Sequence, residues 1–267
     1  MGDNPPVEAT PDRRLALFVS TAPRAQEVAA VLRGTVEWAT LEEADIVVVI
    51  GGDGTMLDAL HHMIDTGRVR PVYGVNAGTV GFLMNRYHRA MNIIDRLAHA
   101  RPIAVSPLAV EAVTRSGRTH RMFAINELSL LRETRQTAKI EISVNDRVRL
   151  PELAGDGVLL ATPVGSTAYN YSASGPILPL DSQMLALTPI SPFRPRRWKG
   201  AILPDRSRVT FRVLEPDKRP VSAVADQREV RNIAEVRLAI AREQEMTLLF
   251  DPHHALDERI VAEQFAH

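Results

Sequence analysis

Apolar positions recur in two ways over the first hundred residues. The segment 45–50 is almost wholly apolar and β-branched, which is typical of a strand buried on both faces. Residues 55–65 instead carry apolar side chains at helical spacing. The same two patterns predict further strands at 15–20 and 71–76 and further helices at 25–32 and 88–99. Strands that alternate with helices predict a parallel, doubly wound (Rossmann-like) α/β domain.

The pattern changes near residue 101. Short strands follow one another closely, and residues 115–118 have the composition of a hairpin turn. The predicted strands are 103–114, 119–125, 139–144, 158–162, 208–214, 221–225, 236–241 and 246–250. Such spacing predicts an all-β, sandwich-like domain with two packed sheets. We therefore predict a disordered tail (1–12), an α/β domain (13–100), a β-rich domain (101–250) and a C-terminal helix (251–267) that packs back on the α/β domain.

Composition narrows the function classes. The 267 residues are 45% hydrophobic and carry 32 basic and 32 acidic side chains, so no net charge favours nucleic acid or an anionic membrane. The absence of cysteine excludes disulfides and thiolate catalysis. No apolar run approaches the ~18 residues of a membrane span, and the first residues lack the layout of a signal peptide. We expect a cytoplasmic protein with neither a nucleic-acid nor a membrane partner.

The segment Gly51-Gly52-Asp53-Gly54-Thr55 joins the buried strand to the following helix. Glycines permit close backbone approach, and amides at a helix start attract phosphate. An acid in such a turn could bind a metal ion or accept the proton of an attacking hydroxyl. The segment matches neither a Walker loop nor the dinucleotide fingerprint. It could be an ordinary tight turn, but ligands collect at the carboxyl edge of such sheets, where a second glycine loop (76–82) follows the next strand.

Three segments of the second half are candidate ligand contacts. Asn126-Glu127, at the end of a predicted strand, is either a polar turn or a donor–acceptor pair for a ribose diol or an adenine edge. Gly155-Asp156-Gly157 alone is typical of a hairpin turn. Residues 162–176 are rich in hydroxyls and small side chains and include two tyrosines. That composition favours a ligand-binding loop over a linker.

Two other features carry less chemistry. The pairs His61-His62 and His253-His254 are adjacent in sequence, and adjacent side chains on a helix point about 100° apart, so neither pair can share a metal ion. No metal ligand is therefore assigned. The basic run 194–199 is one short patch in a neutral chain, which favours a surface or subunit contact over nucleic-acid binding.

In their order along the chain, these motifs resemble the NAD kinase family, in its bacterial, ATP- or polyphosphate-dependent type. The match consists of residues 51–54, 76–82, 126–127, 156–157 and 165–169. The resemblance implies phosphorylation of the 2′-hydroxyl of the adenosine ribose of NAD, which gives NADP. It also implies an α/β domain followed by a β-rich domain, assembly into homodimers or homotetramers, and a divalent ion, expected to be Mg²⁺.

The resemblance also implies roles for individual residues. Asp53 would be the catalytic base or polariser of the 2′-hydroxyl, Phe82 would pack on the adenine, and Asn126 and Glu127 would bind the ribose and adenine. The residues expected around the transferred phosphate are Gly51, Gly52, Gly54 and Thr55. The other expected nucleotide contacts are Leu57, Asn76, Asp156, Ser166, Thr167, Ala168, Tyr169 (by stacking), Ser172 and, within the pair Asp226-Gln227, Gln227.

Two departures from the family pattern and two rival functions stay open. Ala154 stands where many relatives have a basic residue, which puts a charge contact to the nucleotide and the preferred phosphate donor in question, and Ser174 stands where many relatives have glycine. Lipid kinases of the diacylglycerol and sphingosine type share the Gly-Gly-Asp-Gly-Thr turn, but they require an apolar pocket in the second domain. A catalytically silent NAD(P)-binding sensor would have no need of Asp53.

Overall fold

The protein divides into two compact units in a computed structural model that describes residues 13–78 and 81–252. One unit contains the described residues up to Val105 together with those from Gln244 onwards, and the other runs from Ser106 to Glu243. The predicted tail (1–12), the predicted C-terminal helix and His253-His254 lie outside the described residues, apart from the first two positions of the predicted 251–267 segment.

The first unit is built on one mixed sheet. Its elements are β1 (Leu15–Val19), α1 (Pro23–Arg33), β2 (Ile46–Gly51), α2 (Asp53–Thr66), β3 (Val72–Asn76), β4 (Asn85–Arg86), α3 (Ile93–His99), β5 (Arg101–Val105) and β18 (Met246–Phe250), numbered along the chain. The strand order is β1-β2-β3-β18-β5, with β4 beside β3. The strands from β1 to β18 in that order pair in parallel, and β5 is antiparallel to β18.

Helices cover both faces of this sheet. The buried side of α1 packs in one apolar cluster with Val48 of β2 and Tyr73 of β3, which are both fully buried. The next residue on β3, Gly74, points to the opposite face, where a Cβ would lie 2.7 Å from Cε of Met56 on α2. The doubly wound arrangement follows from these two packing directions.

The second unit contains two antiparallel sheets. Its strands are β6 (Leu108–Thr114), β7 (Thr119–Ala124), β8 (Glu127–Arg132), β9 (Ala138–Val144), β10 (Arg147–Gly155), β11 (Gly157–Ala161), β12 (Met184–Ile190), β13 (Ala201–Pro204), β14 (Val209–Val213), β15 (Val221–Ala225), β16 (Arg228–Val230) and β17 (Ile233–Ile240). The orders are β10-β9-β14-β17-β6-β7 and β13-β12-β11-β8-β15-β16. One apolar core joins the two sheets, with Phe211 from the first and Leu160 from the second fully buried in it. The predicted sandwich-like arrangement is confirmed.

The boundary between the units differs from the prediction in two places. The predicted strand 103–114 is two strands, β5 and β6, which belong to different sheets and are separated by Ser106-Pro107. Proline cannot donate to a strand ladder, which favours a break there. The predicted β-domain strand 246–250 is instead β18, which lies between β3 and β5 in the first sheet.

Other elements also differ from their predicted bounds. The helix expected over 88–99 begins only at Ile93, because the side chain of Asn92 accepts hydrogen bonds from the N–H groups of Ile94 and Asp95 and so caps the helix start. The pair Asn126-Glu127, predicted to end a strand, instead lies between two strands. β7 ends at Ala124, and Glu127 is the first residue of β8. Among the described residues, no helix has both the length and the apolarity that a membrane crossing requires.

Candidate active site

The two glycine loops of the first unit start side by side. Gly51 and Asn76, the last residues of β2 and β3, are direct partners in the parallel ladder, and the N–H of Ala77 donates to the carbonyl of Gly51 at 2.8 Å. The Oδ1 atom of Asn76 accepts the N–H of Gly78 at 2.8 Å and so shapes its own loop. Both loops therefore leave the sheet at its carboxyl edge, as the sequence predicts.

The Gly51–Thr55 turn is tight on one side and open on the other. A Cβ on Gly51 would lie 2.3 Å from the hydroxyl oxygen of Thr55, so only glycine fits beneath this side chain. A Cβ on Gly52 or Gly54 would meet no atom within 4 Å. Gly52 is the extended N-cap of α2, and Gly54 is exposed in the first helical turn. The outer backbone of the turn is thus accessible at the end of a helix where anions are favoured.

Asp53 is held by the second loop. Its Oδ2 accepts the N–H of Phe82 at 2.8 Å, and its Oδ1 accepts the N–H of Leu83 at 2.9 Å. A Cβ on Gly81 would lie 3.2 Å from Oδ1, so this loop approaches the carboxylate closely. The sequence predicts an acid set among the amides of its own turn. In the structure, charge-assisted hydrogen bonds from the second loop fix the orientation of the carboxylate.

Other predicted contacts in the first unit differ in accessibility. Thr55 and Phe82 are half-buried. Leu57 is only 7% exposed and lies on the buried side of α2. A direct nucleotide contact through Leu57 would therefore use a small part of its side chain.

In the second unit, Glu127 is a buried acid at the start of β8. The residue is 9% exposed, and Oε2 has no hydrogen-bond partner within the part of the chain that the structure describes. Burial, together with the negative charge of Asp226, raises the pKa of Glu127 to about 8, while the N–H of Tyr169 opposes the rise by donating to the carboxyl. A buried carboxyl oxygen without a partner is costly, so this atom is suited to a polar ligand group.

Asp226 holds the backbone that leads into β8. Its Oδ2 accepts the N–H of Ile125 at 2.7 Å, and its Oδ1 accepts the N–H groups of Asn126 at 2.9 Å and Glu127 at 3.2 Å. The N–H of Asp226 in turn donates to the carbonyl of Glu127 at 3.1 Å. We call these four bonds the Asp226 clamp. The sequence predicts a late polar contact at Asp226-Gln227, but in the structure the carboxylate faces the backbone and only Gln227 is exposed.

The segment after β11 packs directly on this backbone. The hydroxyl of Thr162 donates to the carbonyl of Ile125 at 2.6 Å, and the N–H of Thr162 donates to the carbonyl of Asn126 at 2.9 Å. A Cβ on Gly165 would lie 2.1 Å from the carbonyl oxygen of Asn126. The predicted ligand loop and the Asn126-Glu127 pair are thus one connected structure.

Part of this loop serves its own shape. Ser166 is fully buried, and its hydroxyl donates to the carbonyl of Pro163 at 2.7 Å and accepts the N–H of Leu178 at 3.0 Å. The buried Asn170 donates to the carbonyls of Ser166 and Pro176. The hydroxyl of Ser166 thus stabilises the loop, and the nucleotide contact predicted for this residue stays a prediction. The sequence assigns no role to Asn170, although it lies in the middle of the predicted loop.

The remaining predicted contacts are more accessible. Tyr169 is half-buried and packs against an apolar cluster that includes Leu159 and Ala161, and its pKa is raised by burial and by the negative charges of Glu127 and Asp156. Thr167 and Ala168 are also half-buried, and Ser172 is exposed. The accessible positions Thr167, Ala168, Tyr169 and Ser172 thus follow the internally bonded Ser166, whereas Asn170 among them is buried.

Asp156 does not form a hairpin turn. It lies between β10 and β11, which belong to different sheets, so the chain crosses from one sheet to the other there. Its carboxylate is paired with Arg132 of β8, and both side chains are about one third exposed. Ala154, where many relatives carry a basic residue, is buried. Arg132 was not found by sequence reasoning, because a single arginine in a strand gives no local signal.

No three His, Asp or Glu side chains come together as a metal cluster in residues 13–78 and 81–252. The chemistry available in the first unit is one oriented carboxylate beside an accessible glycine backbone. The second unit offers a buried carboxyl with an unpartnered oxygen beside a loop with accessible hydroxyl and aromatic groups. These are complementary to a phosphate and to a polar, planar ligand, respectively.

Comparison with known proteins identifies the family. Residues 18–101 match the model of the ATP-NAD kinase N-terminal domain, and residues 125–251 match that of the ATP-NAD kinase C-terminal domain. The chain belongs to the NAD kinase family. Among its relatives, it is 59% identical over 255 residues to a protein named NAD kinase from Rhizorhabdus wittichii, an alignment that covers 96% of this chain and 99% of the relative. A protein named NAD kinase from Zymomonas mobilis is 58% identical, covering 94% and 97% of the two chains.

Solved structures of the family share the fold. Yeast NADH kinase complexed with NADH aligns with a TM-score of 0.78 and 19% identity, over 95% of this chain and 88% of that one. An NAD kinase from Archaeoglobus fulgidus in complex with ATP aligns with a TM-score of 0.73 and 24% identity, over 94% and 98%. The fold class predicted for this chain, an α/β domain followed by a β-rich domain, is confirmed by its likeness to these two structures.

Proposed function

We propose that this protein transfers the γ-phosphoryl group of ATP to the 2′-hydroxyl of the adenosine ribose of NAD, giving NADP and ADP. The observation that carries the proposal is the 59% identity, over 96% of the chain, to a relative named NAD kinase. In the reaction the ribose oxygen forms a bond to the γ-phosphorus. The bond from that phosphorus to the β-phosphate oxygen breaks, and the hydroxyl proton leaves to a base.

In this proposal the first unit handles the phosphoryl group. The accessible backbone of Gly52 and Gly54 at the start of α2 would lie against the phosphate, since amides and the helix dipole favour an anion there. Asp53 would take the proton of the attacking hydroxyl. Its fixed orientation supports this role, because phosphoryl transfer depends mainly on alignment and charge neutralisation.

The second unit would bind the dinucleotide. Among the described residues Oε2 of Glu127 has no hydrogen-bond partner, so it fits a ribose hydroxyl or an adenine edge, and the amide of the preceding residue, Asn126, supplies both a donor and an acceptor. Tyr169 offers an aromatic face of which part is accessible, and Thr167, Ala168, Ser172 and Gln227 would complete the contacts. Asp156, paired with Arg132, would contribute through its remaining lone pairs.

A divalent ion, expected to be Mg²⁺, fits this donor set as a companion of the nucleotide. Mg²⁺ is usually held by one or two carboxylates together with substrate phosphates rather than by a protein cage. The first unit provides Asp53 at the glycine turn and, among its described residues, no cluster of three acidic or histidine ligands. When bound, the ion would neutralise charge on the transferred phosphoryl group.

The test is a coupled assay that detects NADP. Purified protein is supplied with NAD or NADH as acceptor, and with ATP or polyphosphate as donor, each with and without Mg²⁺. We expect NADP from NAD with ATP and Mg²⁺; the polyphosphate reactions decide the donor range. Tight NAD binding without NADP under every condition would support a silent sensor, and transfer of labelled phosphate to diacylglycerol or sphingosine but not to NAD would support a lipid kinase.

We also expect a homodimer or homotetramer that acts in the cytoplasm. These two expectations come from the family resemblance and from composition. Light scattering coupled to size-exclusion chromatography measures the subunit count, and fractionation of the source cells locates the protein.

A further inference from the structure

The segment 125–127 changes sheets, and that creates a hydrogen-bonding problem. It links β7, in one sheet, to β8, in the other. Ile125 and Glu127 are 1% and 9% exposed and Asn126 between them is half-buried, so these N–H groups have little access to water. Buried backbone donors need protein partners. The neighbouring strand β15 ends at Ala225, which pairs with Leu128, so on this side of β8 no further strand residue lies beside 125–127; on the other side Ala161 of β11 pairs with Glu127.

The Asp226 clamp solves this problem with a side chain. Asp226 has a left-handed φ of 52°, a conformation that Asp tolerates better than most residues, in the two-residue turn between β15 and β16. This turn directs its carboxylate back along the sheet to the three N–H groups of 125–127. Three charge-assisted bonds over three consecutive residues leave that backbone little freedom.

We infer that Asp226 is the positioning residue of the dinucleotide site: its carboxylate fixes the backbone of residues 125–127 and thereby sets where the Asn126 amide and the Glu127 carboxyl point. The inference rests on the proposed function, because it assumes that these two side chains bind the dinucleotide. Asp226 itself contacts backbone in this arrangement, and its effect on the ligand passes through its neighbours.

The charge of Asp226 has a second effect on the same site. It faces Glu127. Burial is the largest cause of the raised pKa of Glu127, and the charge of Asp226 is the second. The N–H of Tyr169 lowers this pKa and so opposes both causes. Among the described residues, the Tyr169 side chain also interacts electrostatically with Glu127. Removing this charge should lower the pKa of Glu127, so the pH dependence of NAD binding gives the substitution a second readout beside the KM itself.

The test compares Asp226→Asn with the wild type in the NADP assay, from pH 5 to 10 and well below the unfolding temperature. Asn keeps the size of the side chain but has one acceptor oxygen and no charge. We expect the KM for NAD to rise at least tenfold, with the KM for ATP within twofold and kcat within threefold. Because the pKa of Glu127 is about 8, we also expect a step in the wild-type KM for NAD near that pH, and we expect this step to move to lower pH in the variant.

Glu133→Gln is the matched control. Glu133 is another carboxylate of the second unit that accepts a backbone N–H, that of Asn232 at 2.8 Å. We expect its KM for NAD and its pH profile to equal those of the wild type. A wild-type KM for NAD and an unmoved pH step in folded Asp226→Asn would overturn the inference, and so would an equal rise in both variants.

Hydrogen exchange on the wild type keeps the inference testable if Asp226→Asn does not fold. The clamp requires the amides of 125–127 to be protected without NAD as strongly as the ladder amides of β8. Exchange at the rate of exposed loops would overturn it. If the wild type makes no NADP with any donor, the proposed function fails, and the exchange measurement alone then decides whether the clamp exists.

Discussion

Two acids, one in each unit, have opposite surroundings. Asp53 is half-buried and receives two backbone N–H groups at 2.8 and 2.9 Å. Glu127 is 9% exposed, lies near the negative charge of Asp226 and has an oxygen without a hydrogen bond among the described residues. Two backbone hydrogen bonds hold the first acid in one orientation, whereas burial and the charge of Asp226 raise the pKa of the second to about 8. Different protein environments thus prepare the same functional group for different tasks.

This difference separates chemistry from binding. An oriented carboxylate beside an accessible phosphate turn is suited to act on a reacting hydroxyl. A buried acid whose partner is missing is suited to recognise a ligand, because the ligand supplies the hydrogen bond that the protein lacks. Substitutions at and around the two acids should therefore change different measured quantities.

The largest effect is expected for Asp53→Asn. Removing the proton acceptor should lower kcat by about 10²–10³, while the KM for NAD changes little, since the dinucleotide contacts are proposed in the other unit. Steady-state kinetics with NAD and ATP measure both constants, and circular dichroism checks the fold. Asp58→Asn, an exposed position on the same helix, is the control and should retain wild-type kcat. Near-normal turnover in Asp53→Asn would refute its role as base.

Gly165→Ala should disturb the segment after β11, which packs on the backbone of Asn126 next to Glu127. The added Cβ would lie 2.1 Å from the carbonyl oxygen of Asn126, so backbone must move. We expect a loss of about 2–3 kcal/mol in the free energy of unfolding, in the range of overpacked sites, and weaker NAD binding. Chemical denaturation measures the first and titration calorimetry the second. At Gly34 a Cβ would have only an ordinary contact at 3.7 Å, so Gly34→Ala should leave NAD binding unchanged. Equal behaviour of both variants would show that the loop adapts.

Glu127→Gln should stabilise the protein in a pH-dependent way. Between the ordinary carboxyl value of 4.5 and about 8, the folded state keeps a proton that the unfolded state releases, so wild-type stability falls as pH rises through this window. Glutamine has no such loss. We expect the variant to gain about 1–2 kcal/mol above pH 8, where the wild type must bury a charge, and no gain below pH 4.5.

Denaturation curves at pH 4, 7 and 9 measure this gain. Glu133→Gln serves again as the comparison, since its side chain is less buried and its carboxylate accepts a backbone N–H. A gain for Glu127→Gln that does not grow between pH 4 and 9 would contradict the assigned cause.

The smallest effect concerns a contact of the first unit away from either acid. The hydroxyl of the buried Tyr73 donates to Asp251 at 2.6 Å, and Arg96 pairs with the same carboxylate at 2.8 Å. Tyr73→Phe should cost about 1 kcal/mol of unfolding free energy and leave kcat unchanged. Tyr87→Phe, at a partly buried tyrosine of the same apolar cluster, is the control and should cost less. A change in kcat for Tyr73→Phe would extend the site to this contact.

Local patterns predicted the edge where the first acid lies. The β-branched run Ile46–Ile50 is buried throughout, and the glycines after it favour a tight turn before α2. The relation between Asp53 and the amides of Phe82 and Leu83 could not be predicted, because it joins residues about thirty positions apart. Neither could the inward turn of Asp226, since its three partners lie about a hundred residues earlier.

Two strands have misleading local signals. β12 (Met184–Ile190) contains methionine, leucine, alanine and a proline, which are poor strand signals, yet it is paired on both sides and its interior is buried. The apolar pattern of β18 (Met246–Phe250) predicts a strand, but the pattern does not indicate to which unit's sheet the strand belongs. Only the pairing with β3 and β5 assigns it to the first unit.

The position of β18 has a consequence for biosynthesis. During translation, β1 to β5 are synthesised long before β18, the strand that lies between β3 and β5 in the sheet. Until Met246–Phe250 emerges, β5 lacks its strand partner and β3 lacks its partner at Val72 and Tyr73, and such unpaired edges are templates for association with other chains. A nascent chain halted before residue 246 should therefore be the form most in need of a chaperone, and a gene fragment that ends at Val105 should yield insoluble protein.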